Sequence, residues 1–188
     1  MKTEETSLPN NEVVKLYYGD IHPTPAGQSM TTMSVLQLRK DGKCPEQFGM
    51  IFDRQVPEIS KKFGQHLLDA EPHIAAIFTP PSESKQFQPF VEALMRLRAD
   101  VQIIANAVTK PPGLESGDPK TTLDDLRQGF SVNVGELPAL EADVCVCVLD
   151  DILGDGKTIA VMIEKLRPLL PANVRFIVAC PLRIVKPA

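Results

Sequence analysis

Apolar and polar positions change rhythm several times along the 188 residues, and each change marks an element. Val13 to Tyr18 and Met33 to Arg39 are apolar, β-branched or aromatic enough to predict strands, with a loop rich in Pro and Gly between them. Val56, Ile59, Phe63 and Leu67 recur at helical spacing and predict an amphipathic helix over 56–70. His73 to Phe78 is a short apolar run that stops at Thr79-Pro80-Pro81. A helical stripe follows at Phe87, Phe90, Val91, Leu94 and Leu97. Val101 to Val108 predicts the next strand, 109–122 a long loop, and Leu123 to Gln128 a short helix. Ala142 to Leu149 is the most apolar strand. Ile159, Met162, Ile163, Leu166 and Leu169 mark the helix after it, and 173–182 the last strand.

Runs without alternation, separated by amphipathic helices, imply an α/β fold: a mostly parallel central sheet covered by helices on both faces. Ligands of such sheets bind beyond the carboxyl ends of the strands. The two strand ends with most chemistry are the one after Phe78 and the one after Leu149. The polar start reads as a loose tail over 1–12, followed by a hood over roughly 13–50 and a core over roughly 51–188.

Composition narrows the class. A hydrophobic content of 43% supports a sizeable core. A net charge of -4, without a run of Lys or Arg, disfavours a nucleic-acid partner. No segment approaches the roughly 18 apolar residues of a membrane span, and the polar start does not resemble a secretion signal. A soluble, cytoplasmic protein is the expectation. Cys44, Cys145, Cys147 and Cys180 lack paired spacing and read as free thiols, buried in the valine-rich run for Cys145 and Cys147. A zinc site with His66 or His73 is disfavoured, because structural zinc prefers closely paired ligands.

The stretch Val146 to Thr158, VCVLDDILGDGKT, carries the strongest chemical signal. Its Gly-Lys-Thr ending is that of a nucleotide P-loop, but Asp151 stands at that motif's first glycine position, where its charge would repel the phosphate. A different ligand accommodates both halves. Paired acids can accept hydrogen bonds from the vicinal hydroxyls of a ribose, and the following turn presents backbone N–H groups and a helix start to a phosphate.

In Val144 to Leu149, Asp150-Asp151, Ile152-Leu153 and Gly154-Asp155-Gly156-Lys157-Thr158, the chain resembles the type I phosphoribosyltransferases. The order IFTPP, helix, long loop, LRQGFSVNV and the acid pair is most similar to the ComF-type branch. The resemblance implies that Asp150 and Asp151 position the ribose and stabilise charge developing on it, and that Gly154, Asp155, Gly156, Lys157 and Thr158 hold the 5-phosphate. It implies a pyrophosphate loop at Thr79, Pro80, Pro81, Ser82, Ser84 and Lys85, with Lys110 and Lys120 of a covering loop as charge partners. Magnesium enters mainly through the pyrophosphate, with no direct protein ligand. The implied activity moves ribose 5-phosphate from phosphoribosyl pyrophosphate to a nitrogenous acceptor; the alternative is a catalytically inactive relative that senses that compound or a nucleotide, or an interaction module. A homodimer or a protein partner fits either.

Gly154 stands where the hypoxanthine-guanine subgroup carries an acid, and Asp155 where it carries threonine, so the purine-specific base is absent. Tyr17, Tyr18 and His22 could line a base pocket, but packing is the simpler expectation. Asp155 has an equally plain alternative role as a cap for the helix that begins near Gly156.

Overall fold

The structure, a computed structural model, describes residues 1–22, 34–40, 42–81, 88–115, 118 and 120–184. The chain opens with a hairpin, β1 (Lys2–Ser7) and β2 (Val13–His22), followed by helices α1 (Ser34–Lys40) and α2 (Glu46–Ala70). A βαβ unit follows: β3 (Ile74–Phe78), α3 (Gln88–Leu97) and β4 (Gln102–Ile104). A small antiparallel pair, β5 (Val108–Thr109) and β6 (Ser131–Val132), brackets α4 (Leu123–Gly129). The chain then forms β7 (Cys145–Leu149), the short β8 (Ile152–Leu153), α5 (Lys157–Leu166) and β9 (Arg175–Ile184).

The sheet order is β1-β2-β9-β7-β3-β4, with β8 also paired to β9. Every pairing in it is parallel except β1 with β2. The α/β class and the mostly parallel sheet expected from the apolar runs are therefore present. Two cores sandwich the sheet. Val146, Val148, Phe176 and Val178 pack with α4 and α5 on one face, and Cys145, Cys147, Leu149 and Ile177 pack with α1, α2 and α3 on the other. Among the described residues no helix is long and apolar enough to cross a membrane.

Four elements differ from expectation. Residues 2–7, read as part of a loose tail, are a strand: the polar sequence suits an exposed edge, where charge deters further pairing. The strand expected over 33–39 is instead a helix over 34–40, whose adjacent Val35 and Leu36 both enter the same core, as neighbours on one helix face do and neighbours on a strand do not. The helix expected from Val56 begins ten residues earlier, at Glu46, because Phe48, Phe52 and Val56 extend the stripe at four-residue intervals. Pro57 lies inside it, where the ring removes a backbone donor, and Ser60 Oγ donates to Val56 O at 2.7 Å one turn on. The run 101–108 is broken at 105–107 into β4 and β5, which belong to different sheets.

Candidate functional site at the carboxyl edge

The topology selects one place on the sheet. From β3 the chain leaves through α3, on one face, to reach β4 on the outer side. From neighbouring β7 it leaves through α5, on the opposite face, to reach β9 on the other side. The strand order reverses between β3 and β7, and at such a switch the outgoing connections part to leave a crevice beyond the strand ends. Thr79 follows β3 there, and Asp150-Asp151 follow β7.

The acid pair sits at a fault in the ladder. Asp150 N–H still donates to Ala179 O at 3.0 Å, and β8 resumes the pairing with the same sequence offset that holds from Cys145 opposite Arg175 to Leu149 opposite Ala179. Yet the side chains change phase. Strict alternation from Leu149 would place Ile152 on the α5 face, whereas Ile152 shares the core of Leu149 and Leu153 shares that of Val148. In β9 the change falls between Cys180 and Leu182, across Pro181, which has no N–H to give. β7 thus ends at Leu149, where the sequence predicted a strand end, and the short β8 resumes the pairing beyond the acids.

The two carboxylates differ. Asp150 is half-buried, and its Oδ1 accepts the Asp151 N–H at 2.8 Å. Asp151 is only 6% exposed, and its carboxylate has no hydrogen-bond or ion-pair partner among the described residues. An isolated buried carboxylate costs several kcal/mol unless something donates to it. Beside it, burial pushes the Cys180 thiol well above the ordinary range, with the charges of Asp150 and Asp151 adding to the effect. At the end of β3, Thr79 is 3% exposed; its N–H donates to Ile104 O at 3.2 Å, while its hydroxyl has no partner among the described residues.

The turn after β8 is open at one end and closed at the other. Nothing lies within 4 Å of the place a Cβ on Gly154 would occupy. Gly156, at φ 77°, adopts the left-handed conformation that glycine accepts without strain and that starts α5. A Cβ there would stand 3.3 Å from Leu8 and 3.5 Å from Pro9 of the β1–β2 turn. The N-terminal hairpin therefore covers the closed end, and Asn10 Nδ2 donates to Ala160 O at 3.4 Å further along α5. Asp155 is exposed and both Lys157 and Thr158 are half-buried. Lys157 N–H donates to Asp155 Oδ1 at 3.2 Å, its ammonium lies 3.1 Å from Asp155 Oδ2, and the same ammonium donates to Thr121 O at 2.9 Å.

The structure thus brings Thr79, Asp150, Asp151 and the 154–158 turn to one edge of the sheet. Pro80 is buried and Pro81 half-buried beside Thr79. Ser82, Ser84 and Lys85 lie outside the described residues. Tyr17 and Tyr18 are buried in packing: Tyr17 Oη donates to Glu71 Oε1 at 2.5 Å, and Tyr18 Oη to Glu4 Oε2 at 3.3 Å beneath the Arg183 guanidinium. The His22 side chain lies outside the described set. His66 and His73 are exposed, Cys145, Cys147 and Cys180 are buried free thiols, and Cys44 is half-buried. No group of three or more His, Cys, Asp or Glu among the described residues could hold a metal by itself.

Two features escaped the sequence reading. One is the cover that Leu8 and Pro9 give Gly156, hidden because the opening residues look like a tail. The other is Glu71, 5% exposed at the amino edge of the sheet, which accepts from Tyr17, from Lys15 at 3.1 Å and from both terminal nitrogens of Arg175. Burial alone would raise its carboxyl, but the donors led by Arg175 outweigh that and hold it at about 2, below the ordinary 4.5. An open cleft of about 480 Å³ lies at that same edge, lined by residues that include His73, Arg98, Asp100 and Asp143, away from the acid pair.

No family model matches the chain, and no curated protein matches its sequence. Solved structures to which the chain is similar include phosphoribosyltransferases. The adenine phosphoribosyltransferase of Saccharomyces cerevisiae is 21% identical, with 68% of each chain covered and a TM-score of 0.44. The hypoxanthine phosphoribosyltransferase of Staphylococcus aureus is 14% identical over 71% of this chain and 74% of its own, at 0.46. Another adenine phosphoribosyltransferase is 16% identical over 97% of this chain and 94% of its own, at 0.43.

Proposed function

We propose that the chain is a phosphoribosyltransferase-type protein that binds phosphoribosyl pyrophosphate between the ends of β3 and β7 and transfers its ribose 5-phosphate to a nitrogenous acceptor. The order of parts in 78–158 supports placing it in the ComF-type branch. The observation that carries the proposal is Asp151: a buried carboxylate without a partner among the described residues, at the switch point of a doubly wound sheet, is a strong acceptor awaiting donors. Vicinal ribose hydroxyls supply two donors on adjacent atoms, matching two adjacent acids.

In the transfer, the bond from the ribose anomeric carbon to pyrophosphate breaks, and pyrophosphate leaves with the electron pair. A bond from the acceptor nitrogen to that carbon forms, and the acceptor gives up a proton. Positive charge develops on the ribose ring between these events, and Asp150 and Asp151 stabilise it through fixed charge nearby. The first turn of α5 leaves the N–H groups of Thr158 and Ile159 outside its hydrogen-bond ladder, and these receive the 5-phosphate with Lys157. Thr79 and the loop that follows take the pyrophosphate. Magnesium would enter mainly with the pyrophosphate, without a direct protein ligand, and when bound would supply charge to that leaving group.

A second reading, binding without transfer, is favoured by the Asp155–Lys157 ion pair, which places a negative charge inside the phosphate turn. The two separate by measuring thermal stabilisation by phosphoribosyl pyrophosphate with magnesium alongside pyrophosphate release with a panel of bases. Stabilisation with release supports transfer, and stabilisation alone supports the sensor. Asp150→Asn combined with Asp151→Asn should abolish the thermal shift in a folded protein; an unchanged shift refutes the ribose assignment.

A further inference from the structure

The phosphate turn already holds an anion of its own. Both oxygens of Asp155 are engaged by Lys157, one by its N–H at 3.2 Å and one by its ammonium at 3.1 Å. A backbone N–H and an ammonium are the donors an incoming phosphate would claim. The ammonium makes a third contact, donating to Thr121 O at 2.9 Å. Thr121 immediately precedes the capping box in which Thr122 and Asp125 close the start of α4, so it is the last residue of the long segment 109–122 before a fixed point.

We propose that Asp155, Lys157 and Thr121 form a self-occupied latch: without ligand the Asp155 carboxylate takes the place of the ligand's phosphate, and phosphate entry displaces it and frees Thr121, at the approach to α4, from the first turn of α5. The proposal rests on the reading of 154–158 as the 5-phosphate turn. Three observations make displacement feasible. Asp155 is exposed, so its carboxylate can return to water, and an exposed ion pair holds weakly. Gly154 has open space around it, so the residue before Asp155 can turn. The α4 cap is self-contained, so losing the Thr121 contact leaves the helix start intact. Ligand entry is thereby coupled to the freedom of Lys120 and Thr121 before the α4 cap. Asp155 acts as a positioning residue in this scheme: it sets affinity and the state of Thr121, and it touches no reacting atom.

The test is calorimetric titration of the full chain with ribose 5-phosphate and, separately, with unphosphorylated ribose, at low and high salt. Asp155→Asn should tighten ribose 5-phosphate by about tenfold at low salt, as expected for removing a like charge within a few ångströms. High salt should shrink that gain, and ribose should bind no tighter. Lys157→Met should weaken ribose 5-phosphate and, without ligand, speed amide hydrogen exchange at 120–121; saturating ligand should speed the same amides in the natural chain. Unchanged or weaker binding by Asp155→Asn, with binding still abolished by the double asparagine variant at 150 and 151, overturns the latch and leaves the ribose site standing. Tightening by Asp155→Asn with no effect of that double variant keeps the latch and overturns the ribose site. No binding by any form overturns both, and unaltered exchange in Lys157→Met overturns the coupling to Thr121.

Discussion

Glu71 and Asp151 are both acids about 5% exposed in the same sheet, one at its amino edge and one at its carboxyl edge, and they are built in opposite ways. Glu71 receives hydrogen bonds from Tyr17, Lys15 and Arg175, side chains on β2 and β9 that converge on the residue just past α2. Asp151 receives none from the described residues. Burial is the same; satisfaction is not. A buried charge that the chain satisfies itself joins elements together, here α2, β2 and β9. One that the chain leaves unsatisfied costs stability, and that cost is tolerated where a ligand repays it.

The largest expected effect breaks the Glu71 side of this contrast. Glu71→Gln should destabilise the protein by about 3 kcal/mol in urea titrations at neutral pH, because the Tyr17 hydroxyl and the Arg175 guanidinium lose an ionised acceptor; Lys15 and Arg175 can turn to water, which limits the loss. The pH dependence has a definite sign. The folded carboxyl titrates at about 2 against an ordinary 4.5, so its contribution is complete above pH 4.5 and is lost as pH falls from there towards 2. The natural chain should therefore lose stability through that window more steeply than Glu71→Gln. Parallel curves for the two would show that the network contributes nothing through charge.

The opposite sign is expected at the other edge. Asp151→Asn should stabilise the protein without ligand by about 1 kcal/mol, since a neutral amide is less costly to bury without a partner than a carboxylate. The same substitution should remove stabilisation by phosphoribosyl pyrophosphate. A loss of stability at Asp151 comparable to that at Glu71 would erase the distinction between the two acids and, with it, the main support for the proposed site.

This contrast also shows what the linear chain reveals. The acid pair and the glycine turn are legible because they are contiguous: Asp150 to Thr158 need only a strand before and a helix after to become a strand–loop–helix site, and Val146, Val148, Ile159 and Ile163 supply both periodicities. The Glu71 cluster is illegible for the converse reason. Lys15, Tyr17, Glu71 and Arg175 meet only once β2 pairs with β9, and no local pattern distinguishes Glu71 from any acid following a helix. The helix at 34–40 was hidden because Leu36 and Leu38 alternate as in a strand while Val35 and Leu38 are spaced as in a helix, and seven residues are too few to decide between the two periods. The phase change beyond Asp150 was hidden because it depends on Pro181, thirty residues away, as much as on the acids. The cover over Gly156 was hidden because Leu8 and Pro9 are ordinary turn residues until the hairpin folds against α5.

The smallest expected effect on stability falls on the third acid of the carboxyl edge and sharpens the comparison most finely. Asp155 has a partner, as Glu71 does, but it is exposed, and exposed ion pairs add little to stability because water solvates both charges nearly as well. Asp155→Asn should shift the unfolding free energy by less than about 0.5 kcal/mol, since the asparagine can still accept the Lys157 N–H as a helix-start residue does. Near-neutral stability together with tighter ribose 5-phosphate binding would place this charge with the ligand site, whereas a destabilisation near that of Glu71→Gln would make it a second structural acid and leave Asp151 as the carboxyl edge's single unsatisfied one.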